Sequence, residues 1–438
     1  MRLISTRNNS PEVDFKDALF KGLAPDGGLY HPQEDKSIAE LFHSLRPSCA
    51  FNDIAEKICN LWLRDEWDHE AVNRIVRRAF TFAPELRALG DGIYILELFH
   101  GPSCAFKDFG AGFLSSCMEE VLKEKKKHAV VLVATSGDTG SAVAKAFHKK
   151  KNIDVVILYP SGRVSQLQEK QLTTLDGNVI ALEVQGSFDD CQRMVKEAFQ
   201  DRELEAKLTL TSANSINIGR LFPQSFYYID GALRLQESNN ERTVYCVPSG
   251  NFGNLTAGVY AWKWGLPVGE FIAATNINDV VPEYLKTAAF TPRPSVHTLS
   301  NAMDVGNPSN FERLSAVFKN NHSAMAQTIK AEVVTDEDTK TEMGAVYREK
   351  GMFLDPHTAV GVVAAKRYLA ESRNHGRRVI VLATAHPAKF METVEEATGR
   401  KPVLPPALKK ALRLEKKSVV VDNKLAALKD FLHAHFGV

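Results

Sequence analysis

No apolar run in this 438-residue chain approaches the roughly 20 residues needed to cross a bilayer. The opening Met-Arg-Leu-Ile-Ser-Thr-Arg, followed by Asn-Asn-Ser-Pro-Glu, lacks the apolar centre of a secretion signal. Cysteine is sparse: Cys49, Cys59, Cys104, Cys117, Cys191 and Cys246 are scattered and contain no Cys-x-x-Cys pair. That spacing argues against a disulfide framework and a zinc site, and it fits a reducing compartment. A cytoplasmic protein without a metal is therefore expected. Net charge is also missing: the formal value is +1, which gives no support for a nucleic-acid or membrane partner. The basic run Lys123-Glu124-Lys125-Lys126-Lys127 suits a helix C-terminus, where cations offset the negative dipole end. Internal repeats and low-complexity segments are absent too. What remains is an ordinary globular composition, 44% hydrophobic and 24% charged, in a chain long enough for about three domains.

Apolar spacing changes along the chain. Residues 1–88 read as an N-terminal helical module, with amphipathic helices over 51–67 and 68–80 and a turn-rich stretch at 22–30. From about residue 90, strands and helices alternate. Strands are expected at 93–99, 129–134, 155–159, 179–184, 243–247, 271–275 and 379–383. Helices are expected between them, among them 108–127, 141–150, 188–200, 255–264 and one long helix from about 216 to 235. The stretch 279–311 carries four prolines and reads as loop. Such alternation predicts an α/β fold of parallel sheets covered by helices. A large domain is assigned to 89–129 and 214–400, a smaller mobile domain to 130–213, and a tail to 401–438, read as an extended linker and a closing helix.

The chemistry gathers at strand-to-helix turns. Lys107 sits between Phe106 and Phe109 where the first of these strands gives way to a helix. An ammonium among aromatic rings is poorly solvated, which lowers its pKa and favours a nucleophilic neutral amine. Most lysines are simply solvated, so the residue alone decides nothing. Asp108 is expected to cap the following helix. Three other turns, 135–140, 249–254 and 384–387, are rich in glycine and small polar residues, and ligands of open α/β sheets bind where such turns cluster. The turn 249–254 reads either as a phosphate cradle or as a plain helix entry. It has neither a Walker lysine nor a Gly-x-Gly-x-x-Gly fingerprint. A lysine and a phosphate loop together suggest pyridoxal 5′-phosphate.

Four stretches, in order, carry a family resemblance. They are His100-Gly-Pro-Ser-Cys-Ala-Phe-Lys107-Asp-Phe-Gly110, Thr135-Ser-Gly-Asp-Thr-Gly140, Ser249-Gly-Asn-Phe-Gly-Asn254 and Ala385-His-Pro-Ala-Lys-Phe390. Together with Asp26-Gly-Gly-Leu-Tyr30 and Ser300-Asn-Ala-Met-Asp304, they resemble the longer bacterial and fungal threonine synthases, fold-type II (tryptophan synthase β-like) pyridoxal-phosphate enzymes. The resemblance runs from Asn8 to about residue 400. It implies that Lys107 forms the Schiff base with the cofactor, that Gly250, Asn251, Phe252, Gly253 and Asn254 hold its phosphate, and that the Thr384 hydroxyl faces its pyridine nitrogen. Asp138 stands where the wider fold-type II pattern has asparagine.

The implied substrate is O-phospho-L-homoserine, converted with water to L-threonine and phosphate in the last step of threonine biosynthesis, with Lys107 as the base at Cα. The loop Thr135, Ser136, Gly137, Asp138 and Thr139 is placed to grip the substrate carboxylate. Lys389, Arg163, Ser215 and Asn217 are candidates for its phosphate. A monomer or homodimer is expected. Two other readings stay open: a related lyase such as a serine/threonine dehydratase or β-replacement enzyme, and a catalytically silent ligand-binding protein. Cys104, His100, His357, His386, Trp262 and Trp264 are read as packing or local hydrogen-bonding residues.

Overall fold

The computed structural model describes residues 1–135, 137–235 and 243–437. Its strands in chain order are β1 (Arg2–Ser5), β2 (Val13–Asp14), β3 (Tyr30–Pro32), β4 (Glu85–Gly90), β5 (Ile93–Glu97), β6 (Ala129–Ala134) and β7 (Ile153–Pro160). They continue with β8 (Val179–Gln185), β9 (Leu210–Ser212), β10 (Thr243–Pro248), β11 (Val268–Thr275), β12 (Ile329–Val333), β13 (Val379–Ala383) and β14 (Val419–Asp422). Two larger sheets organise them. One runs β12-β11-β10-β13-β5-β4 and is parallel except for the edge strand β4; the other runs β14-β8-β7-β6-β9 and is parallel throughout. Central strands such as β6, β10 and β13 are buried along their whole length, as expected of sheets covered on both faces.

The order of the first of these sheets sets the site. β10, β13 and β5 are neighbours, so the turns that follow them emerge side by side at the carboxyl edge. The turn after β5 is pinned to the turn after β13: Phe106 N donates to Thr384 O at 2.8 Å and His386 N to Cys104 O at 3.0 Å. Behind it, the helix Lys107–Lys125 is anchored by buried and half-buried aromatic rings. Phe109 lies 5.3 Å from Phe51, 4.7 Å from Phe82 and 5.4 Å from Tyr227, centroid to centroid. Rings at these separations and angles add contact energy to their burial, which holds the first turn of this helix in place.

Four expectations are corrected. The N-terminal module is not helical throughout: β2-β1-β3 form a small antiparallel sheet, and β4, at its assigned end, pairs with β5 in the six-stranded sheet. The single helix expected over 216–235 is two, Ile218–Leu221 and Gln224–Arg234, because Pro223 has no N–H to continue the ladder. The loop-rich stretch contains the helix Val280–Thr287. The tail is not a linker. Pro406 opens the helix Pro406–Arg413, where a missing N–H costs nothing, and β14 adds to β8 as a parallel edge strand. The helix Leu425–Phe436 then buries Leu428 and Leu432 in the core of the five-stranded sheet.

Candidate active site

Lys107 is the first residue of its helix, and its Nζ lies 5.0 Å from the centre of the Phe106 ring and 3.8 Å from Asp138 Oδ2. Burial pulls this ammonium below its ordinary pKa; Asp138 opposes that shift, while Lys389 and Arg220 add to it. Asp138 belongs to the other sheet, at the start of the helix that follows β6. Its second oxygen, Oδ1, is 2.7 Å from Lys389 Nζ and accepts from Gln168 Nε2 at 3.3 Å. Lys389 is wholly buried and also donates to Ser103 O at 3.0 Å. Burial alone would raise the Asp138 carboxyl; the two ammonium groups outweigh it and hold the acid well below the usual carboxylate range. One carboxylate of the five-stranded sheet thus joins two lysines of the six-stranded sheet across a cleft.

Asp108 does not cap its helix. Phe106 is the N-cap, and the Asp108 carboxylate instead accepts from Ser103 N at 2.8 Å, closing the lysine turn on itself. Burial pushes this acid up to about 6, because Oδ1 has no hydrogen-bond partner and the Ser103 contacts only partly offset the lost water. Arg220 lies against the same group. It is 2% exposed, donates to Ala213 O at 2.8 Å and keeps a buried Nε without a partner. Burial lowers its pKa to about 10 despite the attraction of Asp108. The arginine had no motif to announce it; only its burial beside Lys107 does.

The turn after β10 has the properties of an anion cradle. Phe252, at φ 59°, is the N-cap of the helix Gly253–Lys263, and no side chain caps that helix. A non-glycine residue in the left-handed region carries strain of about 1 kcal/mol or more and is concentrated at functional sites. Asn254 accepts from both Tyr227 and Tyr228 through Oδ1, at 2.6 and 2.8 Å, and its Nδ2 is a buried donor without a partner. Uncapped N–H groups, a positive dipole end and an orphaned amide fit a phosphate group. Asn251 donates to Ser215 Oγ at 2.7 Å and accepts from Ser309 N at 2.6 Å. Gly250 packs on the 301–303 turn so tightly that a Cβ would come within 2.6 Å of Met303 Cα, which forces glycine there.

Not every candidate reaches the cleft with a free group. Asn217 is buried as an N-cap, donating to Leu19 O and Ser212 O and accepting from Gly219 N, so its amide is spent on the fold. Thr135 accepts from Gly137 N at 3.0 Å and Gly140 N at 2.9 Å, which makes its hydroxyl the brace of the loop. Gly137 adopts φ 156°, and a Cβ there would meet the Gln168 amide at 2.6 Å. Thr139 lies in the first turn of the helix Asp138–Phe147, and Ser136 lies outside the described residues. Arg163 is exposed in the turn after β7. Thr384 is 7% exposed at the end of β13, facing the lysine turn. Among the residues read as structural, Cys104 is a buried thiol pushed up to about 11 by burial. His386 accepts from Ala388 N at 3.1 Å, and His100 lies 2.9 Å from Glu97 Oε2.

Comparison with known proteins agrees with this geometry. Residues 76–385 match the family described as pyridoxal-phosphate dependent enzyme, which sets the class: a fold-type II enzyme of that cofactor. Residues 2–80 match the threonine synthase N terminus and 358–432 the threonine synthase C-terminal region. The chain belongs to the threonine synthase family. It is 40% identical over 432 residues to the threonine synthase of Haemophilus influenzae, covering 99% of both chains. The pyridoxal-phosphate-bound threonine synthase of Brucella melitensis superposes with a TM-score of 0.92 at 36% identity, covering 99% of each chain. The yeast threonine synthase gives 0.92 at 32% identity, covering 100% of this chain and 99% of its own.

Proposed function

We propose that this enzyme converts O-phospho-L-homoserine and water to L-threonine and inorganic phosphate, in the cytoplasm. The observation that carries the reading is the meeting of Lys107, Lys389 and Arg220 around two acids, Asp138 and Asp108, of which burial pushes Asp108 up to about 6. Three cationic side chains outnumber two acids in this buried group, which suits a doubly charged phosphate ester. Full-length similarity to threonine synthases supports the same substrate.

In this reading Lys107 holds the cofactor, residues 250–254 take its phosphate and Thr384 faces its ring nitrogen. When bound, pyridoxal phosphate supplies an electron sink for the bonds at the substrate's Cα and Cβ. Lys107, whose burial favours loss of its proton, takes the proton from Cα and later returns it to one face. Lys389 and Arg220 bind the substrate phosphate and stabilise it as it leaves Cγ. Before substrate arrives, Asp138 balances Lys389 and Lys107; the incoming dianion takes its place. Asp138 and the 135–139 loop ride on the smaller lobe, 130–213, joined by the C-terminal strand and helix. Closure of that lobe keeps water out until it is needed at Cβ.

The test is to incubate the purified enzyme, loaded with pyridoxal phosphate, with O-phosphohomoserine and to follow threonine and phosphate together. Equal release of both is expected, with Lys107→Ala at least about a thousandfold slower. Phosphate without threonine, or full activity in the Lys107 variant, overturns the reading.

A further inference from the structure

Behind the lysine turn lies a second cavity of about 480 Å³. Pro102 forms part of its wall, but neither Lys107, Asn251 nor Thr384 lines it. Its other walls come from the helix Asp138–Phe147, the end of the helix Gln166–Thr173 and the tail helix Pro406–Arg413. Four lysines line it, Lys145, Lys149, Lys410 and Lys417, against two acids, Asp176 and Glu415. Asp176 is already engaged by Lys417 at 3.4 Å and by His148 at 3.5 Å.

Lysines gather at helix C-termini for a simple reason, since the last carbonyls attract them. That reason is used up here. The Phe147 carbonyl accepts from Lys150 N and Asn178 Nδ2, the Thr173 carbonyl from Lys417 N, and the Leu414 carbonyl from Lys170 Nζ. Among the described residues no carboxylate lies within ion-pair distance of Lys145, Lys149 or Lys410. Lys145 is half-buried; that burial and the nearby Lys410 ammonium lower its pKa, and Asp108 opposes the shift. Thr174, 7% exposed, lines the same cavity with a buried hydroxyl that has no hydrogen-bond partner. The half-buried Lys145 and the exposed Lys410 line one cavity, and the orphaned hydroxyl beside them is costly unless something fills the space.

We propose that this cavity is an anion-binding site separate from the catalytic cleft, taking a small doubly charged molecule, a phosphate monoester or a dicarboxylate, between Lys145 and Lys410 with Thr174 as a further contact. The bound anion ties the helix that carries Asp138 to the tail helix, whose Leu408 packs on Cys104 and Ala388 beside the lysine turn.

The test uses the pyridoxal-phosphate-loaded enzyme at low ionic strength, titrated calorimetrically with glycerol 2-phosphate and, separately, with succinate. Wild type is expected to bind at least one of them, and the Lys145→Met/Lys410→Met double variant at least tenfold more weakly, with turnover in the absence of either probe unchanged. Thr174→Val, which leaves both lysines in place, should weaken the same probe severalfold. Binding of the ester alone or of succinate alone assigns the class of ligand. Failure of both probes to bind wild type, or equal binding by wild type and both variants, overturns the proposal.

Discussion

Asp108 gives the molecule a pH signature that can be measured. Its carboxyl is raised from 3.8 to about 6 in the folded protein, chiefly by burial. A folded pKa above the unfolded value means that the folded state prefers the proton. The stabilisation is full below the unfolded pKa, and it is lost as pH rises through about 6. At about 1.4 kcal/mol per unit, the contribution is about 3 kcal/mol. Asp108→Asn retains an acceptor for Ser103 N without the charge, so wild type should lose stability relative to this variant between pH 4 and pH 7. Parallel thermal melts check it, and a constant gap between the two proteins counts against it. Lys389→Met tests a different residue: a buried ammonium bonded to Asp138 and Ser103 disappears. The expected outcome is a KM for O-phosphohomoserine raised about tenfold or more, since charge-assisted bonds are worth about 1.5–3 kcal/mol. An unchanged KM would remove Lys389 from the phosphate site. At this scale the motifs led to residues that the fold gathers, since Lys107 and Lys389 meet at Asp138 and the 250–254 turn opens a helix with no side-chain cap. The sequence misled where residue type alone was the guide: Asn217 and Thr135 brace the backbone instead of facing substrate, and Asp108 closes a turn instead of capping a helix. A capping amide and a binding amide are the same side chain until their partners are known.

Elements were legible in proportion to how local their causes are. The buried runs of β6, β10 and β13 and the periodic helices read directly, because apolar spacing reports burial. β14 did not, because Val419, Val420 and Val421 become a strand only by pairing with β8, more than two hundred residues earlier in the chain, and Val419 and Val420 stay 45% and 56% exposed. The neighbouring positions of β5, β13 and β10 were invisible for the same reason: strand order is a long-range property. The helices Lys107–Lys125 and Ile218–Leu221 illustrate what such order demands of single residues. At Gly110 a Cβ would lie 2.6 Å from the Arg220 carbonyl oxygen, so the two backbones meet only because glycine is there. Gly110→Ala must push backbone against backbone, which costs about 1–3 kcal/mol as overpacking. It would also move Arg220 away from Lys107. A lower Tm together with a raised KM is expected, and a lower Tm with unchanged kinetics would show that Arg220 takes no part in binding substrate.

The whole molecule divides its labour between the two large sheets. Lys107, Thr384 and residues 250–254, the groups proposed to hold the cofactor, all stand at the carboxyl edge of the six-stranded sheet. Asp138 and the 135–139 loop belong to the five-stranded sheet, whose core includes Leu428 and Leu432 from the C-terminal helix, both fully buried. Replacing both leucines with alanine removes apolar volume from that core, at about 2–5 kcal/mol for each site. The apolar cluster around Phe109 and Phe113, which reaches Val131 and Ile157 on the other face of the five-stranded sheet, contains neither leucine. Two readouts should therefore separate. Cofactor attachment, followed by borohydride trapping on Lys107 at a temperature where the larger lobe is folded, should be retained. Turnover should fall steeply, because the lobe proposed to close over the substrate is no longer held in shape. Calorimetry should show the weakened lobe unfolding first, as regions of unequal local stability permit. If cofactor attachment and turnover decline together, the two sheets behave as one cooperative unit, and the closing motion assigned to the smaller lobe has no separate body to carry it.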